Sequence, residues 1–412
     1  MARIYVADKE TLDKVYDIVS MGGVYGFIEH NAILAPGQRI EYIGLNKNYT
    51  PLTVTMGGGY SLGDWADFPL IKGNRPAMVR NTGILDYYLN PDDYTKKEDG
   101  TASDVANTSY VGGAFSWMPK IYKKEYMAGS DRYCLFSMTR KTEDFLPVGF
   151  YDSDNKELEG VWIPMFYGSI LDGKATCISG TQPMASNTTA QEKTAIDAFG
   201  SRAKFFGGAI VETIIDLLIM FAKTTDLQAA YGNGNMSGYV NDSSQYYGVL
   251  QNAVVGGGQF YGTSDGKSLN KIFHSIVLGT YQQWMRDPYT ICVNGALKVS
   301  KNYSYDLTGA AYDDTGLQYA STGAWRYPHR YKSVVGFGAV PDVSPYNGST
   351  ALGGCDGLYV NAGITAVALR FGSCGAGLID GPRALSLHNV AGFADWALGA
   401  ALLLLPPVGA TA

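Results

Sequence analysis

LRFGSCGAGLIDGPRALSLHNVAGFADWALGA, residues Leu369 to Ala400, decides how this chain is read. Glycines recur at short intervals. Between them stand Phe, Cys, Ile, Pro, Arg, His and Asp, which share no chemistry. The stretch is not uniformly apolar like a core strand, nor polar like a loop, and it carries no catalytic set. Its regular points are Arg370, Gly372, Gly377, Gly381, Leu385, Leu387, Trp396 and Gly399. Leu385 and Leu387 are two apart, as on one face of a strand, and the glycines permit tight turns and positive φ.

The composition around this stretch is also unusual. From Ser333 to Ala412 the chain has no Lys, Glu, Gln or Met, whereas residues 1–332 hold 20 Lys, 10 Glu, 10 Gln and 12 Met. Randomising the adenines of an AAC codon never yields Lys, Glu, Gln, Met or Trp, and four of those five are the missing set. Burial in an apolar core depletes Lys, Glu and Gln as well. The gap begins well upstream of the odd stretch, so codon randomisation does not account for all of it.

The whole chain has 412 residues, enough for two or three domains. Hydrophobic residues are 46% and charged residues 17%, which supplies a core. A net charge of -6 argues against nucleic acid or an anionic membrane as the main partner. Gly (51) and Tyr (30) are abundant. This implies many turns and little helix, and it is also the palette of adaptable binding surfaces. Five scattered cysteines without CxxC spacing argue against a zinc site or disulfide framework. The N-terminus shows no signal-peptide core, so the expectation is cytosolic retention until assembly or release.

Along the chain, helical spacing over residues 5–20 predicts a short helix, and short β-like runs separated by turn signals fill residues 23–130. SWMPKIYKKEY and VWIPMFYGSI read as strands, and Lys96 to Ser109 as an exposed loop. Two consecutive helices are expected over Ala190–Ala203 and Gly208–Thr224, capped by Asn187 to Thr189 and separated by Gly207-Gly208. The second is a buried helix too short to cross a bilayer, and ALLLLPPV is a terminal core strand. The rest reads as short strands and long loops. The fold class is α+β: an N-terminal β-rich attachment or oligomerisation domain over 1–113, then a domain over 114–412 with few helices.

Reactive groups are sparse. His30, His274, His329 and His388 stand in no metal-binding spacing, and the glycines of Gly232–Gly238 lack the lysine of a phosphate loop. Glu212 and Asp216, one helical turn apart, are either a carboxylate pair or the polar side of a half-buried helix. Asp313-Asp314 is a calcium-ligand candidate or a plain turn. No catalytic residue, metal or cofactor is assigned.

The stretch 369–396 resembles the C-terminal variable region of proteins diversified by diversity-generating retroelements. The eight regular points match that frame, and Cys355 to Gly363 resembles the strand and loop preceding it. Phe371 replaces a usual Gly, and Ala391 stands where Pro is frequent. Upstream, the helix run over residues 208–234 resembles the C-type-lectin-like fold of the formylglycine-generating-enzyme type. The phrases YYLNPDDYTKKEDGTASD and MPKIYKKEY resemble tail receptor-binding proteins of phages and prophages of gut bacteria.

The resemblance implies a C-type-lectin-like domain over 114–412 and a tropism determinant at the phage tail tip, passing through the host cytoplasm during assembly. It implies a diversified face that binds a host-surface protein or glycan. That face comprises Phe371, Ser373, Cys374, Gly375, Ala376, Leu378, Ile379, Asp380, Pro382, Arg383, His388, Val390, Phe393 and Asp395. Leu385, Leu387, Trp396 and the ALLLL strand would be its core anchors. Other virion tail proteins and a homotrimer follow by analogy, with no nucleic acid and no membrane insertion. Two alternatives stand beside it. One is a structural virion or bacterial surface protein without diversification. The other is an oxidase of the formylglycine-generating type, with Cys355 and Cys374 as its cysteine pair.

Overall fold

A computed structural model describes residues 22–241 and 243–412; the helix expected over 5–20 lies outside them. Strands dominate and helices are few, an α+β, sheet-rich arrangement. A four-stranded sheet places β1 (Val24–Glu29) between Ile40–Gly44 and β2 (Asp131–Ser137), with Tyr122–Ala128 beyond β2.

The two expected helices form as α1 (Thr189–Phe199) and α2 (Ala209–Ala222). Thr188 caps α1 with a reciprocal box: its side chain accepts from the Gln191 N–H, and the Gln191 side chain accepts from the Thr188 N–H. Gly207-Gly208 is not the whole separator, because a short strand, Ala203–Phe205, intervenes. All of α2 from Ala209 to Phe221 is buried. Its last carbonyls accept from the Tyr42 hydroxyl (to Met220 O, 2.6 Å) and the Leu52 N–H (to Phe221 O, 2.8 Å).

The C-terminal sheet has the order Asp313–Gln318, Ala296–Val299, β3 (Trp284–Val293), β4 (Thr365–Phe371), β5 (Gly381–Leu387) and Leu358–Val360. β4 and β5 are antiparallel, while Leu358–Val360 runs parallel to β5. The ALLLL run forms β6 (Leu402–Leu404), buried between Gly160–Pro164 and Ala203–Phe205 in a second seven-stranded sheet. No described helix is long and apolar enough to cross a membrane.

Both of the N-terminal sheets cross residue 113. β1 pairs with β2, and Pro76–Arg80 pairs with Gly112–Pro119. One apolar cluster extends from Phe27 through α2 to Leu405. The division expected at 113/114 therefore separates neither sheets nor cores.

Buried charges tie these layers together. Arg383 on β5 donates both terminal nitrogens to Glu29 on β1, at 2.8 and 2.9 Å. Arg39 and Arg132 each donate Nε to the same carboxylate at 3.0 Å. Burial alone would raise the Glu29 carboxyl, but Arg383, Arg39 and Arg132 hold it well below the usual range. Arg132 continues to Asp216 on α2 (2.5 Å), which also meets Lys123 (2.6 Å).

One turn away on α2, Glu212 takes Arg370 Nη1 at 2.5 Å, and Arg370 Nε reaches Asp287 at 3.0 Å. Glu212 and Asp216 are thus neither a catalytic dyad nor a half-exposed polar edge. Each is fully buried against its own cation.

Removing one partner of a buried pair strands the other, at about 3–5 kcal/mol. Arg383→Ala leaves Glu29 with Arg39 and Arg132, so it should lose at most about that much in denaturant unfolding, whereas Phe393→Ala, at an exposed site, should stay within about 0.5 kcal/mol.

Candidate binding face

Strand alternation sorts the C-terminal stretch into two sides. On the inner side, Leu385 and Leu387 pack with Ala366, Ala368, Leu358 and Val360, as their spacing predicts. Register places Leu369 opposite Ser386, and Tyr359 beside Ser386, on the outer side. There Trp284 of β3 packs with Leu369 and Ala384.

The outer side carries an aromatic platform. Trp325 stacks on Trp284 with ring centroids 5.4 Å apart and planes at 9°. Tyr359 meets Trp325 edge-on at 5.5 Å, and His388 lies 4.5 Å from Tyr359. Ser386 Oγ and His388 Nδ1 are 2.6 Å apart, and burial lowers the imidazole's affinity for a proton. A second aromatic group, Tyr239, Tyr247 and Trp396, has ring centroids 5.0–6.1 Å apart. Trp396, expected as a core anchor, is only half-buried within it.

Between β4 and β5 the chain makes an excursion over residues 372–380. It starts where the register shifts at Arg370/Phe371. Phe371 has φ +77°, a rare conformation for a bulky residue, and its ring lies in the main core. The excursion is pinned by Cys374 N–H to Gln282 O (3.0 Å), Tyr239 N–H to Cys374 O (2.8 Å) and Gly377 N–H to Met236 O (2.9 Å).

Six of the fourteen residues expected on the face are therefore buried: Phe371, Ser373, Cys374, Asp380, Pro382 and Arg383. Arg383 is a structural cation, and Pro382 lies within a strand whose every residue is buried. The Ser373 N–H donates to Asp380 Oδ2 at 3.2 Å. The Cys374 thiol faces Tyr247 O at 3.6 Å, and burial pushes it up to about 12. Cys355, also buried and raised by burial, faces Gly353 O. Both cysteines are free, and neither is poised as a thiolate.

The other eight reach the surface. Gly375, Leu378, Val390 and Phe393 are exposed; Ala376, Ile379, His388 and Asp395 are partly so. The apolar members are well out in solvent: Leu378 is 53% exposed, Val390 45% and Phe393 42%. The loop carrying the last of them is held rigidly from behind. Arg286, ion-paired with Glu192 at 2.7 Å, donates to Phe393 O and Asn187 O, both at 2.6 Å. The Thr189 N–H donates to Ala391 O at 3.0 Å, and Asp395 Oδ1 accepts from the Ala397 N–H.

Trp284, Trp325, Tyr359, Tyr239 and Tyr247 were not singled out by sequence. Tyr abundance signalled a binding surface without placing it, because these rings arrive from distant segments.

Two buried aspartates explain two glycines of the frame. A Cβ on Gly372 (φ +128°) would stand 2.1 Å from Asp380 Oδ1, and one on Gly381 (φ +140°) 2.2 Å from Asp356 Oδ1. Asp356 accepts from the Arg383 N–H (2.7 Å) and from Gln228 Nε2 (3.2 Å). Burial pushes the Asp356 carboxyl up to about 8 and that of Asp380 well above the usual range.

Elsewhere, Asp313 pairs with Lys301 at 3.2 Å and Asp314 Oδ1 accepts from the Gly316 N–H, and both lie in the edge strand Asp313–Gln318 rather than in the plain turn expected. Among the described residues no group of three or more His, Cys, Asp or Glu is arranged to hold a metal ion. No protein-family model and no curated protein matches the chain.

A carboxyl raised on folding keeps its proton in the native state while the unfolded chain ionises, so it costs stability as pH rises from about 4. Asp380→Asn removes that cost. Its melting temperature relative to the wild type should climb between pH 4 and pH 8. A flat or falling difference would show that Asp380 is ionised in the fold.

Proposed function

We propose that this protein is a phage tail receptor-binding protein, a tropism determinant. It would dock on a host-surface protein or glycan through the outer face of the C-terminal sheet. The observation that carries this reading is the solvent-facing set Gly375, Ala376, Leu378, Ile379, His388, Val390, Phe393 and Asp395, seated beside two aromatic groups on a sheet locked by buried ion pairs. Apolar side chains exposed on a well-supported sheet beside aromatic rings fit a binding surface. Phe393, Val390 and Leu378 supply contact area. His388 and Asp395 supply polar selectivity.

The resemblance to retroelement-diversified proteins supports the same reading, now with a narrower variable set. The eight surface positions can change at little cost to stability. Phe371, Cys374, Asp380 and Arg383 are committed to the interior. In this proposal the C-terminal part has the C-type-lectin-like fold, the protein is virion-borne, and it assembles as a symmetric homo-oligomer with other tail proteins.

Two results test the reading. Sequencing the last codons of the gene across a natural population should find substitutions concentrated at the eight surface positions and scarce at the six buried ones. Phe393→Asp should lower binding to host cells about ten-fold or more, as loss of an aromatic anchor does, with its melting temperature unchanged. An invariant segment together with undiminished adhesion would leave a structural role.

A further inference from the structure

Beside the binding face lies a cleft of about 580 Å³, between the Ile170–Leu171 strand end, the segment Gly180–Asn187, and Gln245–Tyr246. Its size is that of a small-ligand site. None of its described lining side chains is charged. Thr108, Gln182, Ser186, Asn187 and Gln245, with their hydroxyls and amides, line it together with Tyr246 and Ile170. Gln182 spends Nε2 on Val249 O (3.1 Å), and Asn187 spends Nδ2 on Ala185 O (2.7 Å), so each keeps a carbonyl oxygen to accept from a ligand hydroxyl.

We infer that this cleft is a binding site for a neutral saccharide. A phosphate, sulfate or sialic carboxylate would need a cation, and a cationic ligand a carboxylate; no described lining residue offers either. A purely apolar ligand would leave the amides and hydroxyls unpaired. An uncharged sugar ring presents both a C–H face for Tyr246 and hydroxyls for the amides.

The cleft is mechanically continuous with the face. The Ser186 N–H donates to Asp395 O at 2.9 Å. Gln283 Nε2 bridges Met184 O (3.2 Å) and Trp396 O (3.1 Å). Arg286 joins Asn187 to Phe393. One glycan chain can therefore seat a neutral residue in the cleft while the loop reads its neighbour. The inference deepens the receptor-binding reading, and rests on it for the identity of the surface that carries the glycan.

The test uses the full chain against immobilised neutral oligosaccharides ending in glucose, galactose or N-acetylhexosamine, with sialylated ones as the acidic comparison. Host-cell adhesion is measured in parallel. Binding to at least one neutral glycan is expected. Tyr246→Ala and Thr108→Trp, which fills the cleft from its exposed rim, should each weaken that binding at least ten-fold. Gln245→Ala, a mild exposed change, should weaken it about three-fold, and all three variants should melt with the wild type. The inference is overturned if only acidic glycans bind, if none binds, or if Tyr246→Ala and Thr108→Trp leave neutral binding intact. Cell adhesion that still depends on Phe393 in those cases would preserve the receptor reading. Cleft-dependent glycan binding without Phe393-dependent adhesion would preserve the cleft and remove that reading.

Discussion

The bidentate pair between Arg383 and Glu29 joins residues 354 apart in sequence, and the C-terminal sheet keeps its position through it. Glu29 carries three guanidinium groups, and Arg132 passes the connection to Asp216 on the central helix. Arg370 repeats the device through Glu212 and Asp287. Taking so many charges out of water is costly, and it is offset only when the geometry is good and nearly every proton and lone pair is used. The network therefore tolerates few alternative placements of β4 and β5 against α2 and β1. Apolar packing alone would be less selective, since it has no direction.

That fixed backing gives the C-terminal stretch two unlike sides. Inward, Leu385, Leu387 and Arg370 are committed to packing and charge. Outward, aromatic rings and two loops meet solvent. The excursion over 372–380 belongs to both. Its Asp380 and Gly372 fit so closely that neither can change size, yet Leu378 at its tip is unconstrained. Exposed and committed positions alternate within one short stretch rather than lying in separate domains.

Much of this was legible in the sequence where apolarity and period agree. Helix α2, its capped neighbour, the Leu385/Leu387 face and the terminal strand follow from local pattern. Arg383, Asp380 and Phe371 did not. The first two are polar residues in a glycine-rich frame, and polarity normally means exposure. Their partners, Glu29 among them, lie far away in sequence or carry no local signal. Phe371 turns inward through a positive φ that its sequence neighbours do not announce. Burial also bears on the missing Lys, Glu and Gln after residue 332: β5 and β6 are wholly buried, and such strands seldom hold those side chains without a buried partner. The polar, neutral cleft had no signature either, since its walls come from four separate segments.

The central claim is that one short stretch is divided, residue by residue, between an ion-locked interior and a permissive face. A saturation mutagenesis library over residues 369–399, read for folded yield independently of binding, tests it directly. The account predicts broad tolerance at 375, 376, 378, 379, 388, 390, 393 and 395, and sharp intolerance at 370, 371, 372, 380, 381 and 383. Equal tolerance at both sets, or intolerance centred on the surface positions, would contradict it.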